Sequence, residues 1–307
     1  MNGWFMEEPQ NFPPSEDIAP LFVSFHISPR EADKILTKQG VAYLKKYQPI
    51  GTRDKDTQRL LESKGIKSYF TGCLTTTLGY KFQSEDRNNQ IIFVDPYYEL
   101  SRKGKNSLVR CLWRSLNLLR HIYAVLKLYN KLPDASCVRS QIYKFSKRID
   151  KMFSVAEFYH VYSKLFTDKV LYNATYITHT IEQSHHRDYH WGLEYAKELI
   201  NMYAKAQFVV TSRIHCALPC LGLQTPILFV TSNAKEILKS EQAANRFDGL
   251  IDWFQCLKFT PRGLVVQDDE VRKKMSNGKI DHNFTFFNKT TFLPFRDKLK
   301  EIVSTFV

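Results

Sequence analysis

Residues Ala206–Val230 read AQFVVTSRIHCALPCLGLQTPILFV. The run Phe208–Ser212 is apolar and rich in β-branched and aromatic residues, which predicts a buried strand. His215–Leu223 follows as a short helix of small and apolar residues, stopped near Gly222, and Pro226–Val230 is a second buried strand. A strand, a helix and a strand in so short a stretch form the unit of a parallel sheet, because a parallel neighbour is reached only by a crossover over the face of the sheet.

The alternation continues on both sides. Upstream, Leu21–Ile27 (LFVSFHI) reads as a buried strand and Glu31–Lys46 as an amphipathic helix. Pro49–Arg53 (PIGTR) is a short strand. Asp54–Lys64 is a helix whose acidic start suits the positive helix end, and Gly65 stops it. Lys67–Cys73 is the next strand. A polar stretch, Lys81–Gln90, interrupts the pattern and predicts a domain boundary, with one domain over 1–85 and another over 86–307. The second domain begins with the strand Ile91–Asp95. Basic helical stretches near Ser107–Lys131 and Ala135–Leu165 follow, then a strand over Val170–His179. A helix over Trp191–Ala204 has Leu193, Ala196, Leu199 and Ile200 at helical spacing, and a closing helix covers Phe292–Phe306. The predicted fold class is α/β.

At 307 residues with 43% apolar and 24% charged content, the chain can bury a core, which excludes a disordered polymer. A net charge of +13 points to an anionic partner, whether a phosphorylated substrate, a membrane surface or a nucleic acid. No nucleic-acid motif accompanies the charge. Six cysteines are irregularly spaced without a CxxC pair, which speaks against a zinc site and for reduced thiols in a cytoplasmic compartment. The opening MNGWFMEEPQNFPPSED lacks the basic and apolar regions of an export signal, and no apolar run is long enough to span a bilayer.

In open α/β sheets, ligands bind beyond the carboxyl ends of the strands. The residues just after each predicted strand are therefore the candidates. At the end of Phe208–Ser212 stand Thr211 and Ser212, followed by Arg213 and His215. Ser212 or Thr211 could cap the following helix, whose first amides favour an anion. Arg213 offers a donor fork for a carboxylate or phosphate, and His215 can exchange a proton near neutral pH. Spacing alone leaves a second reading open, in which Arg213 pairs with a core carboxylate and His215 is structural. Arg53 ends the Pro49–Arg53 strand beside Asp54, as a cleft residue or as half of an ordinary surface pair. Gly72 ends the Lys67–Cys73 strand, where a glycine allows close approach to a ligand or simply makes a turn. His179 ends another strand and could line the cleft. It leads a histidine-rich stretch with His185, His186 and His190, which reads as solvated histidines rather than a metal site.

The basic stretch carries Arg102, Lys103, Lys105, Arg110, Arg114, Arg120, Lys127 and Lys131, interleaved with Trp113, Leu116, Leu119, Ile122 and Leu126. The ordinary expectation is a solvated basic face and an apolar face turned to the core. The alternative is a surface that meets acidic glycan or anionic lipid heads.

From Val209 onward, VVTSRIHCALPCLGLQTPILFV resembles the polysaccharide pyruvyl transferase family, through its TSR-aliphatic-His block, its small-residue helix and its Gly-x-x-Pro strand entry. The likeness continues at Tyr203-Ala204-Lys205-Ala206, at Asn245–Leu250 and, in the first half, at PIGTRDKDTQRLLESKGIKSYFTGCLTTTL. The resemblance implies two Rossmann-like domains in a glycosyltransferase-B-like arrangement, with an anion site in the cleft. It implies phosphoenolpyruvate as donor substrate, no separate cofactor or metal, and a glycan or lipid-linked oligosaccharide as acceptor. The product would be a pyruvate ketal. It carries the catalytic histidine onto His215 and the anion-binding arginines onto Arg213 and Arg53; Ser212 and His179, by their positions at strand ends, are the further substrate-binding residues expected. The family opens with an additional strand and helix, so the N-terminal domain is expected to lack its first βα unit. The expected location is cytoplasmic, at the inner membrane face if the basic helices touch lipid. A nucleotide-sugar-dependent glycosyltransferase on the same architecture and a non-enzymatic polyanion binder are the alternatives.

Overall fold

The computed structural model describes residues 5, 8–82, 84, 86–98, 108–134, 147–181, 185, 188–231, 247–260 and 262–306. Arg102, Lys103, Lys105, His186, Asn245 and Arg246, and residues 135–146 of the helix expected over Ala135–Leu165, lie outside the described residues. The chain makes two compact units. One comprises Met1–Lys81, Ala234–Phe254 and Lys289–Val307; the other comprises Phe82–Asn233 and Gln255–Asn288.

In the first unit, β1 (Ile50–Thr52) and β2 (Ser68–Phe70) pair in parallel. The strand expected over Leu21–Ile27 shrinks to a single parallel bridge from Phe25 to Thr52. Ser24 is the reason. Its φ of 52° is left-handed, which breaks the extended run, and its amide donates to the Thr71 hydroxyl at 3.0 Å. Phe22 and Phe25 nevertheless stay buried, tied to Gly51 through backbone hydrogen bonds on both sides of the break. The single helix expected over Glu31–Lys46 is split into a short turn, Ala32–Ile35, and α1 (Lys38–Lys46). The split falls at Thr37, whose hydroxyl caps α1 by accepting from the Gly40 amide. α2 (Lys55–Ser63) begins and ends where the sequence predicts. The Asp54 carboxylate accepts from the Thr57 amide at 2.9 Å, and Gly65 follows the helix at φ 68°. The C-terminal helix Leu293–Phe306 packs within this unit: Phe295 lies 5.1 Å from Phe70 and 5.5 Å from Trp253 between ring centres, and the Tyr80 hydroxyl donates to Asp297.

The second unit holds a six-stranded sheet in the order β4-β3-β5-β6-β7-β8. The strands are β3 (Ile91–Val94), β4 (Thr175–Ile177), β5 (Phe208–Thr211), β6 (Ile227–Thr231), β7 (Gln255–Thr260) and β8 (Gly263–Val266). All neighbours run parallel except β8, which returns antiparallel to β7. The fold is α/β. β3, β5 and β6 read as continuous apolar runs because helices cover both faces of a parallel sheet. The β7–β8 hairpin was not anticipated; β7 alternates buried and half-buried residues, a weaker signal in a lysine-bearing stretch.

Val170–His179 does not form one strand. α6 (Asp168–Asn173) takes its first half and β4 its second. Locally, Val170-Leu171-Tyr172 suits a strand. A long-range tie decides otherwise: the Thr167 amide donates to the Ile280 carbonyl at 3.0 Å, which fixes the entry of a helix that buries Val170 and Leu171 together. α7 (Tyr189–Lys205) is capped by Asp188 and forms as predicted, but Leu193 and Ala196 are exposed, and it buries only Tyr203 and Ala204.

The basic stretch departs furthest from expectation. α3 (Leu108–Arg120) and α4 (Ile122–Leu128) pack on α5 (Lys147–Tyr162). The apolar residues assigned to the core face, Trp113, Leu116, Leu119, Ile122 and Leu126, are exposed. Among its described side chains, those that α3 buries are Arg114 and Asn117. The Arg114 Nε donates to Glu157 Oε1 at 2.5 Å, and its guanidinium carbon lies 4.9 Å from the centre of the Phe153 ring. An ion pair inside the α3–α5 interface thus turns the helix so that its hydrocarbon faces outward. α4 still buries Ala124, Val125 and Leu128.

Behind this pair, His121 Nε2 lies 3.3 Å from His160 Nδ1. Burial, then the charge of Lys164, brings the His160 pKa down to about 4, and burial lowers His121 as well. A histidine with a folded pKa below its unfolded value stabilises the fold fully above about 6.5, and that contribution drains away as pH falls toward about 4. Thermal melts are expected to lose several degrees between those limits, with His160→Gln flattening the dependence. An unchanged slope in the variant assigns the loss to other groups.

Candidate active site

The chain enters the six-stranded sheet at β3, steps to β4 on one side, then returns to β5 on the other side of β3. The strand order therefore reverses at β3, and the carboxyl ends of β3, β4 and β5 meet at the position where open α/β sheets bind their ligands. Asp95 follows β3, His179 lies two residues beyond β4, and Ser212 and Arg213 follow β5.

Asp95 gathers these ends. It sits at φ 40°, a left-handed turn that an aspartate tolerates, and its side chain is almost wholly buried. One carboxylate oxygen, Oδ2, accepts from Arg213 Nε at 3.0 Å and from the His179 amide at 3.0 Å. The Asp95 carbonyl accepts from the Ser212 hydroxyl at 2.6 Å, and the Asp95 amide donates to the Ile177 carbonyl at 3.1 Å. Three strand ends are thus fixed to one residue.

Arg213 pairs with an internal acid, yet its side chain stays 35% exposed. The pairing with a core carboxylate is realised for Arg213: Nε donates to Asp95, which orients the planar fork, and the rest of the side chain is not fully enclosed. The helix cap differs from expectation. Arg213 itself is the N-cap of α8 (Ile214–Gly222), in extended conformation and without a side-chain cap. Thr211 Oγ1 accepts from the Arg213 amide and donates to the Val94 carbonyl, and the Ser212 hydroxyl is turned to Asp95, so neither hydroxyl is left for the helix. His215 is exposed in the first turn of α8, whereas Ile214, Cys216 and Cys220 around it are buried. An imidazole packed in hydrocarbon is excluded.

His179 is partly buried, and its Nε2 lies 2.8 Å from the Tyr203 hydroxyl. Burial holds its pKa below the ordinary imidazole value, against the opposing pull of Asp95, and burial likewise raises the Tyr203 phenol. Near neutral pH both are uncharged, so the His179–Tyr203 contact is a neutral hydrogen bond. His185 stacks on Trp191 with ring centres 4.1 Å apart.

Arg53 belongs to the first unit. Its side chain is only 8% exposed, with Nε 3.5 Å from Asp54 Oδ2 and without a hydrogen-bond acceptor. The pair is therefore buried, not the surface pair that the local sequence suggests. His26 Nδ1 lies 2.7 Å from the same Asp54 oxygen. Burial pulls the Asp54 pKa upward, but His26, the Thr57 amide and Arg53 together leave it below the ordinary carboxyl value. Gly72 adopts φ +71°, and a Cβ there would strike the Trp253 indole. Its smallness makes room for that ring.

Sequence reasoning missed Asp95 and Tyr203 as members of the cluster. Asp95 had a usable signal: it is a lone acid closing the apolar run Ile91–Val94. Asp95→Ala removes the acceptor of two donors and places a Cβ residue without a compensating side-chain acceptor in a left-handed turn. The expected loss is roughly 2–4 kcal/mol in urea unfolding, from unpaired donors and backbone strain. Asp95→Asn keeps an acceptor and tolerates the turn, so it should lose less than half as much; equal losses would mean that the acceptor does not hold the cluster.

The family model described as polysaccharide pyruvyl transferase matches residues 19–233, a span that includes Arg53, Asp95, His179, Ser212, Arg213 and His215. No curated protein and no solved structure matches the chain.

Proposed function

Because the chain belongs to the polysaccharide pyruvyl transferase family, and so to a family of transferase enzymes, we propose that it moves pyruvate from phosphoenolpyruvate onto a pair of glycan hydroxyls as a ketal. The observation that carries this reading is a part-exposed Arg213, oriented by buried Asp95 two residues before an exposed His215, at the strand reversal of the sheet.

The chemistry suits those groups. Phosphoenolpyruvate presents a carboxylate and a phosphate, and the guanidinium fork of Arg213 matches either. His215 in its protonated form delivers a proton to the methylene carbon, which becomes the methyl group and leaves C2 electron-deficient. One acceptor hydroxyl adds to C2 and gives up its proton. The C2–O bond to phosphate then breaks, phosphate departs, and the second hydroxyl closes the ketal with loss of its own proton. Arg213 offsets the negative charge of the departing phosphate. Ser212 and His179 border the same strand ends as substrate-binding residues. The assignment of Arg53 to a second anionic group rests on the family resemblance, as do the two Rossmann-like, glycosyltransferase-B-like domains and the glycan or lipid-linked acceptor. A cytoplasmic location belongs to the same reading. Among the described residues no helix is long and apolar enough to cross a membrane.

The test is incubation of the purified protein with phosphoenolpyruvate and candidate oligosaccharides, reading phosphate release and the mass of the ketal. Phosphoenolpyruvate should also raise the melting temperature. Stabilisation by a nucleoside diphosphate and none by phosphoenolpyruvate would instead assign a nucleotide-sugar donor.

A further inference from the structure

The outward hydrocarbon of α3 and α4 is a site that pyruvyl transfer does not use. Leu112, Leu116, Leu119, Tyr123 and Leu126 follow one another at alternating steps of four and three residues, which places them along one side of the helical path. They are 62%, 57%, 69%, 64% and 69% exposed. Trp113, Arg120 and Lys127 each stand one residue after a member of this stripe and border it on one side. Arg120 and Lys127 are exposed. The opposite side of the path carries Arg114, Asn117, Ala124, Val125 and Leu128, all buried. Monomeric soluble domains rarely leave a contiguous apolar stripe of this kind uncovered.

Charge decides what covers it. From residue 100 to residue 133 the sequence contains no aspartate or glutamate, while it carries eight lysines and arginines. A second copy packed on this stripe would set Arg120 and Lys127 against like charges with no acid in the segment to answer them. The stripe also crosses the helix break at His121, which interrupts the straight seam a helical partner needs. An anionic bilayer surface meets both features. Leucines enter the acyl boundary, Trp113 and Tyr123 suit the headgroup level, and the cations bordering the stripe pair with lipid phosphates. We propose that α3 and α4 form an interfacial anchor that lies on an anionic membrane, with the leucine stripe inserted and Arg120 and Lys127 at the headgroups. The anchor is independent of the donor assignment, because none of its residues belongs to the strand-end cluster.

Sedimentation with vesicles tests it. The full chain is mixed at low salt with vesicles of phosphatidylcholine alone or of phosphatidylcholine and phosphatidylglycerol in equal parts. The protein should sediment with the mixed vesicles, remain in solution with phosphatidylcholine alone, and be released by added salt. The double variant Leu116→Asp/Leu119→Asp should stay in solution throughout, with its melting temperature checked against the parent. The double variant Arg120→Gln/Lys127→Gln leaves the hydrocarbon intact and should partition roughly thirtyfold less onto the mixed vesicles. Failure of the parent to bind mixed vesicles, or equal binding by both variants, overturns the anchor. So does a parent dimer that the aspartate variant dissociates without any vesicle binding, which would give the stripe to a second copy.

Discussion

His215→Ala should abolish most ketal formation while leaving donor binding nearly intact. Loss of a positioned general acid lowers turnover by roughly 10²–10⁴, and an exposed side chain in the first turn of α8 can be truncated without opening the core. The donor KM should change little, because an imidazole that acts only as the vinyl carbon is protonated contributes to the transition state rather than to the ground state. Arg213→Ala should behave differently. It removes charge from both bound donor and departing phosphate, so the donor KM should rise as turnover falls, with about 2.7–4 kcal/mol lost from the transition state. Steady-state kinetics on phosphate release, with the ketal mass as a second readout, separates the two patterns. Full activity in His215→Ala removes the histidine from the mechanism even if the transferase assignment stands.

Glu157→Ala should destabilise the second unit strongly. Arg114 is 2% exposed, and its two terminal nitrogens are already without hydrogen-bond partners, so Glu157 is its main compensation. Removing one member of a buried pair strands a charge and costs roughly 3–5 kcal/mol. The double substitution Arg114→Met/Glu157→Leu removes both charges together and should recover most of that loss, since hydrocarbon of similar volume often replaces a buried pair at little cost. Urea midpoints of parent, single and double variants form the measurement. If the double variant is no more stable than Glu157→Ala, packing rather than charge governs the interface. A recovered double variant has a further use, since it would show whether α3 keeps its leucines outward once the ion pair no longer fixes the rotation of the helix.

Local chemistry was legible wherever one residue acts on its immediate neighbours. Asp54 and Gly65 bracket α2 because a carboxylate at the N-cap and a glycine beyond the C-cap need only adjacent backbone groups. The runs at Ile91–Val94, Phe208–Thr211 and Ile227–Thr231 name themselves as strands, since burial on both faces demands hydrocarbon at every position. The same reading located Arg213 and His215 just past a strand end. Partners brought together over long distances were decided only by the tertiary structure. Asp95 meets Arg213 from 118 positions away, and that contact makes an arginine both oriented and available. Ser24, in a left-handed turn held by Thr71, ends a strand that its own neighbours would have continued. α3 is the clearest case: amphipathicity fixes that a helix has two faces, but the Arg114–Glu157 pair across to α5 selects which one is buried. Hydrophobic pattern is a property of one segment, whereas compensating a buried charge requires a second segment, and no local window contains both.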